Sequence, residues 1–152
     1  MPDFPHQLVL TVGRPVLLVP YAGRFETLGR RILLAWNAGR EATRATTDAI
    51  PFLRDAEEVN VVAVNPAGRQ HGEVPGADIG LYLARHGVRV KVSNVQATEI
   101  DVGNQLLSSA ADLSSDLIVM GAYGHSRFAE LVLGGVTRTM LESMTVPVLM
   151  TH

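Results

Sequence analysis

LIVMGAYGHSRFAELVLGGVT, Leu117 to Thr137, is the stretch that decides the fold. It begins as a short continuous apolar run, LIVMG, of the kind that forms a strand buried on both faces. The run ends at Gly121, Gly124 follows, and nine residues later Gly134 and Gly135 open a helix that carries Val136 and Thr137. A helix N-terminus approached through glycine favours an anion, because its unpaired NH groups and its dipole both face the ligand. Phosphate binding is one reading of this pattern. Glycines that serve only the turn are the other.

Outward from this segment, the same apolar character recurs in Arg31 to Asn37, Val59 to Val64 and Val88 to Val95. Helical spacing fills the gaps. Ala42, Ala45, Ala49, Ile50 and Leu53 share one stripe, and Leu106, Leu107, Ala110 and Leu113 another. Asp78 to His86 stops at Gly87, a good C-cap residue, and Val136, Met140, Leu141 and Met144 form the last stripe. Alternation of strand and helix predicts an α/β fold, an open doubly wound parallel five-stranded sheet with helices on both faces. Pro66 to Gly76, rich in Gly and Pro, reads as a surface loop.

Leu8 to Pro20 has no place in that alternation, but it has a twin. At an offset of 132 positions LVLTVGRPVLLVP lies on MLESMTVPVLMTH, Met140 to His152, with Pro15 on Pro147, Val16 on Val148 and Leu17 on Leu149. A repeat at about one domain length marks the segment as a second copy of the closing strand. Residues 1–30 are therefore expected to be an extra strand and linker, and residues 31–152 the domain. Pro15 to Val19 is expected to pair antiparallel with Val146 to Met150 and cover an otherwise open sheet edge. Residues 21 to 30 then pass three strand spacings, about 14 Å, well within the roughly 33 Å that ten residues can span. The same reach permits pairing with the last strand of another chain.

Composition narrows the function classes. The chain has 152 residues, 13 Lys plus Arg against 15 Asp plus Glu, and a net charge of -2, so no basic field exists to hold nucleic acid or an anionic bilayer. No apolar run approaches the ~20 residues that cross a membrane, and the N-terminus lacks a signal-peptide pattern, which predicts a cytoplasmic protein. With no cysteine, disulfides, thiolate metal sites and thiol nucleophiles are excluded. The histidines outside the glycine loop, His6, His71, His86 and His152, have no ligand spacing, and no metal site is expected.

Three features carry a resemblance to the universal stress protein family. GAYG, nine residues, then GGVT looks like that family's nucleotide motif; RILLAWNAGREA resembles its first strand and helix start; TVPVLM resembles its last strand. The resemblance implies strand order 3-2-1-4-5 and an adenine nucleotide, ATP with or without magnesium, at the strand ends flanking the order reversal. It implies phosphates on Gly124 and on Gly135, Val136 and Thr137, with adenine between Asn37 and Val64. It also implies a homodimer and a protein partner to which occupancy reports stress. Two positions depart from the family pattern. Asn37 stands where an aspartate is usual, keeping hydrogen-bonding capacity but losing charge. Gly135 stands where serine is common, removing one hydroxyl, which Thr137 or Ser126 can replace. The alternative is a dimer-forming structural member whose crevice no longer takes nucleotide.

Other residues near the motif have two readings each. Trp36, the only tryptophan, either stacks on adenine or packs under the neighbouring helix. His125 and Arg127 either contact phosphate or are solvated. Met120 is either a ligand contact or strand packing. Catalysis finds no support: there is no P-loop GxxxxGK, GxSxG elbow or HExxH. Glu99 and Asp101 suit a helix start without a further role.

Overall fold

The computed structural model describes residues 4–64, 76–96, 102–122 and 135–152. In chain order the elements are α1 (Phe4–Thr11), β1 (Val16–Leu18), β2 (Arg31–Trp36), α2 (Arg40–Asp48), α3 (Ile50–Asp55) and β3 (Glu58–Val64). They continue with α4 (Ala77–Arg85), β4 (Val90–Val95), α5 (Val102–Asp112), β5 (Leu117–Gly121), α6 (Gly135–Ser143) and β6 (Val148–Thr151). All four apolar runs read from the sequence are strands. They and β6 form a parallel ladder, and the six-stranded sheet runs β1-β6-β5-β2-β3-β4. This is the expected order 3-2-1-4-5 with one added strand. The order reverses between β2 and β5, where Leu33 pairs with Ile118.

Alternation along the strands divides the interior into two layers. Ile32, Leu34, Val59 and Val61 face one side, where Ala45 of α2, Ala49 just after it, Leu53 of α3 and Leu83 of α4 cover them. Leu33, Val62, Ile118 and Met120 face the other, under Leu106 and Ala110 of α5, Met140 of α6 and Val9 of α1. Each Val, Leu, Ile or Met among them stabilises the fold by about 1.5 to 3 kcal/mol when fully buried.

The added strand β1 pairs antiparallel with β6, Val16 opposite Met150 and Leu18 opposite Val148, as the internal repeat predicts. The helix before it was not foreseen. Leu8 to Val12 has strand-like composition, yet Phe4–Thr11 is helical, and Val9 is 1% exposed in the α5–α6 layer. Eight residues are too few to hold a helix in water unaided, so this packing holds it. A second difference lies at Ala49, where the single predicted stripe from Ala42 to Leu53 is broken into α2 and α3. Pro51 at the start of α3 has no NH to continue the ladder.

Asp116, just before β5, fixes the end of the linker. Its carboxylate accepts hydrogen bonds from Thr27 Oγ1 at 2.7 Å and from the backbone NH groups of Gly29, Arg30 and Arg31 at 3.0 to 3.1 Å. Burial pushes this carboxyl up, but the bonds from Thr27 and the three NH groups outweigh it and leave it below the ordinary aspartate range. At the other end of the linked segment, Arg44 of α2 donates to the carbonyls of His152 and Gly13 at 2.9 and 3.1 Å, tying the entry of β1 to the exit of β6.

Candidate functional site

A crevice opens at the carboxyl ends of β2 and β5, where the order reverses, the place at which sheets of this kind bind ligands. Its wall is built from Trp36 and Asn37 at the end of β2, Val64 at the end of β3, Met120 and Gly121 of β5, and Gly135, Val136 and Thr137 opening α6. All eight were anticipated as site residues. Glu41 and Ala42 of α2, Val102 and Leu106 of α5, and Ala35 complete the lining. Gly124, His125, Ser126 and Gly134, together with Arg127, lie outside the described residues, as do Glu99, Asp101 and the Pro66 to Pro75 part of the predicted loop.

The turn that carries β2 into α2 shapes one wall. Asn37 Oδ1 accepts the Gly39 NH at 2.8 Å, and Ala38 between them takes a positive φ of 61°. A Cβ on Gly39 would lie 2.8 Å from that same oxygen, so a larger residue there would displace the Asn37 side chain. The asparagine oxygen thus serves the backbone, an Asx turn that sets the first turn of α2.

Gly121 explains how α2 comes so close. A Cβ on it would sit 2.5 Å from the Glu41 carbonyl carbon and 2.6 Å from the Ala42 nitrogen. The first turn of α2 therefore rests directly on the end of β5. This is a packing reason for the first glycine of the motif. Gly135 differs: among the described residues nothing lies within 4 Å of its Cβ position, and it is exposed at the start of α6 while Thr137 is 2% exposed.

Trp36 packs half-buried against the core layer that includes Ala45, as its packing reading expects, and its remaining surface lines the crevice. Met120 is 3% exposed, so it is a packing residue that also reaches the wall. Glu41 was not anticipated. The signal that would have found it is its place in the first turn of the helix that follows the first strand of the parallel sheet, a turn that must face the reversal point. Val102 and Leu106 were missed as site residues, although their four-residue spacing puts both on one helix face. Among the described residues no cluster of His, Asp or Glu is arranged to hold a metal.

These features define a doubly wound α/β domain with a crevice at its topological switch point. The chain belongs to the universal stress protein family, whose model matches residues 29–152. It is 47% identical over 154 residues to the universal stress protein Slr1230 of Synechocystis, a match covering 94% of this chain and 48% of that protein. A universal stress protein from Archaeoglobus fulgidus superposes with a TM-score of 0.71 at 20% identity, over 90% of this chain and 49% of that one. A universal stress protein solved in complex with cAMP superposes with a TM-score of 0.57 at 15% identity, over 81% and 97% of the two chains. The chain thus spans about half the length of the first two proteins.

Proposed function

We propose that this chain binds an adenine nucleotide, ATP with or without magnesium, in the crevice, and that occupancy rather than turnover is read by a protein partner. The observation that carries this reading is the coincidence of a lined crevice with the order reversal. Apolar walls at Trp36 and Val64 share it with the α6 N-terminus at Gly135 to Thr137. A relative of the same fold holds cAMP, which supports adenine as the base. Stress response in the cytoplasm is the role that goes with this reading. Among the described residues no helix is long and apolar enough to cross a membrane.

Calorimetry with ATP and magnesium tests it. Wild type is expected to give a saturable isotherm that Gly124→Val and Gly134→Val abolish. Isotherms unchanged by both substitutions, or no heat at millimolar ATP, would overturn it. No multiple-turnover hydrolysis is expected, because the sequence carries none of the hydrolase motifs that place a general base; phosphate release that vanishes in a glycine variant would contradict that.

A second reading, a structural and dimer-forming member with an empty crevice, is favoured by one observation. The enclosed part of the crevice is about 80 Å³, below the roughly 300 Å³ at which ligand pockets begin, so a whole nucleotide enters only if the walls part or most of it rests outside. On this reading the β1–β6 pairing, made within the chain or exchanged with a homodimer partner, is the functional element.

A further inference from the structure

We propose that Glu41 selects the sugar of the ligand, its carboxylate accepting hydrogen bonds from ribose hydroxyls. The inference rests on the adenine-nucleotide reading of this crevice and goes beyond it by naming what the described wall recognises. Glu41 is the only ionisable side chain among the described residues that line the crevice. It makes no hydrogen bond or ion pair with another described residue, whereas Glu57, Glu58 and Glu142 each hold a cationic partner. As a half-buried carboxylate lining an open crevice it takes its donors from solvent or, when the crevice is filled, from the ligand.

The chemistry of an adenine nucleotide limits what those donors are. Phosphate offers none and is repelled by a carboxylate, the more so beside low-dielectric walls. The remaining donors are the amino group on the base and the hydroxyls of the sugar. Position separates these two. The strand ends run Val64, Asn37, Gly121 across β3, β2 and β5. Glu41 is pinned on Gly121 by the backbone contact that only glycine permits, two strand spacings, about 10 Å, from Val64. With the base toward Val64 and the phosphates toward the α6 N-terminus, Glu41 stands at the level of the sugar. Asn37 does not compete for this role through its oxygen, which accepts the Gly39 NH. Acidic recognition of ribose hydroxyls is a recurring solution in doubly wound folds.

The test compares ATP with 2′,3′-dideoxy-ATP on the full chain, by calorimetry with a chelator present so that no metal bridges Glu41 to phosphate. Both ligands carry the same base and phosphates, so the ratio of their affinities reads the hydroxyls alone. Wild type is expected to prefer ATP by about 10- to 150-fold, and Glu41→Ala to bring the ratio near one with an unchanged melting temperature. Equal wild-type affinities, or a preference that survives in Glu41→Ala, would overturn the role of Glu41 and leave nucleotide binding standing. Should wild type bind neither ligand, with or without magnesium, both the sugar inference and the nucleotide reading fall.

Discussion

Leu17 stands directly opposite Leu149 in the β1–β6 ladder, and these are also the two residues that the internal repeat lays on each other. A residue paired with its own twin lies on a local two-fold axis. Val16 and Leu18 exchange with Val148 and Met150 about it, and α1 occupies, relative to β1, the place that α6 occupies relative to β6. The halves differ in cover. Leu149 is 5% exposed in the layer that includes Ala45 of α2, whereas Leu17 is 39% exposed.

The first prediction concerns this pairing. Deleting residues 1 to 20 removes β1, leaves Val148–Thr151 with an open edge, and uncovers the layer beneath Val9. Loss of that valine alone is worth about 1.5 to 3 kcal/mol, which at roughly 2 to 4 °C per kcal/mol for a domain of this size predicts a fall of several degrees in Tm. Self-association should accompany it in sedimentation velocity. A truncated protein with unchanged Tm and oligomeric state would mean that β1 does not cover this edge in solution.

Asp116 provides the second prediction. Its folded-state carboxyl is held below the ordinary aspartate range, chiefly against burial, by Thr27 and three backbone NH groups. A lowered folded value contributes stability that is fully present above the unfolded value, about 3.9, and is lost as pH falls through the folded one. Asp116→Asn should therefore lower stability at neutral pH by about 1 to 3 kcal/mol and flatten the acid limb of the Tm profile below about pH 4. If wild type and variant lose Tm in parallel between pH 5 and 2, the carboxylate is not what the linker depends on.

Strands β2, β3 and β5 were legible because strands buried through their middle are continuous apolar runs, and β5 matches its predicted span, Leu117–Gly121. Strand β4, expected to be buried likewise, alternates half-buried and exposed residues at the sheet edge. The repeat made the edge strand β1 legible too. What escaped was set by contacts distant in sequence. Helix α1 depends on where Val9 lands, and Asp116 meets the Thr27 hydroxyl and three backbone NH groups 85 to 89 residues away, which no side-chain pattern announces. Of the residues that line the crevice, those on strand ends and at the α6 start were named from the glycine spacing and the family pattern. Glu41 was not, because an acid in the first turn of a helix already has a sufficient reason to be there.

Gly121 leads to the third prediction. The atoms that a Cβ would meet at 2.5 and 2.6 Å are backbone atoms of Glu41 and Ala42 and cannot rotate away. Gly121→Ala should force α2 off the end of β5, at a cost of about 1 to 3 kcal/mol as overpacking does elsewhere. Urea denaturation measures this directly. A loss under 0.5 kcal/mol, on the order of a surface substitution, would show that the contact is looser than it stands here.

Gly135 supplies the last prediction, because it separates the nucleotide reading from the structural one without damaging the fold. Among the described residues nothing lies within 4 Å of its Cβ position, and the residue is exposed, so Gly135→Ser introduces a hydroxyl that meets no described neighbour. Serine also suits the start of a helix better than glycine does in its interior, so Tm should hold or rise slightly. If phosphates rest on the α6 N-terminus, the new hydroxyl donates one bond to a charged group. Such a bond is worth about 1.5 to 3 kcal/mol, a 10- to 150-fold gain in ATP affinity at about 1.4 kcal/mol per decade. Thr137, at 2% exposure, is already buried in the wall, and if its hydroxyl makes the same contact the gain should shrink in Gly135→Ser and reappear in the Thr137→Val background. Titrations of the wild type, the two single variants and the double variant therefore form a cycle whose coupling reads whether the two hydroxyls share one phosphate. A cycle in which Gly135→Ser leaves ATP affinity unchanged in both backgrounds would place the phosphates elsewhere and favour the structural reading.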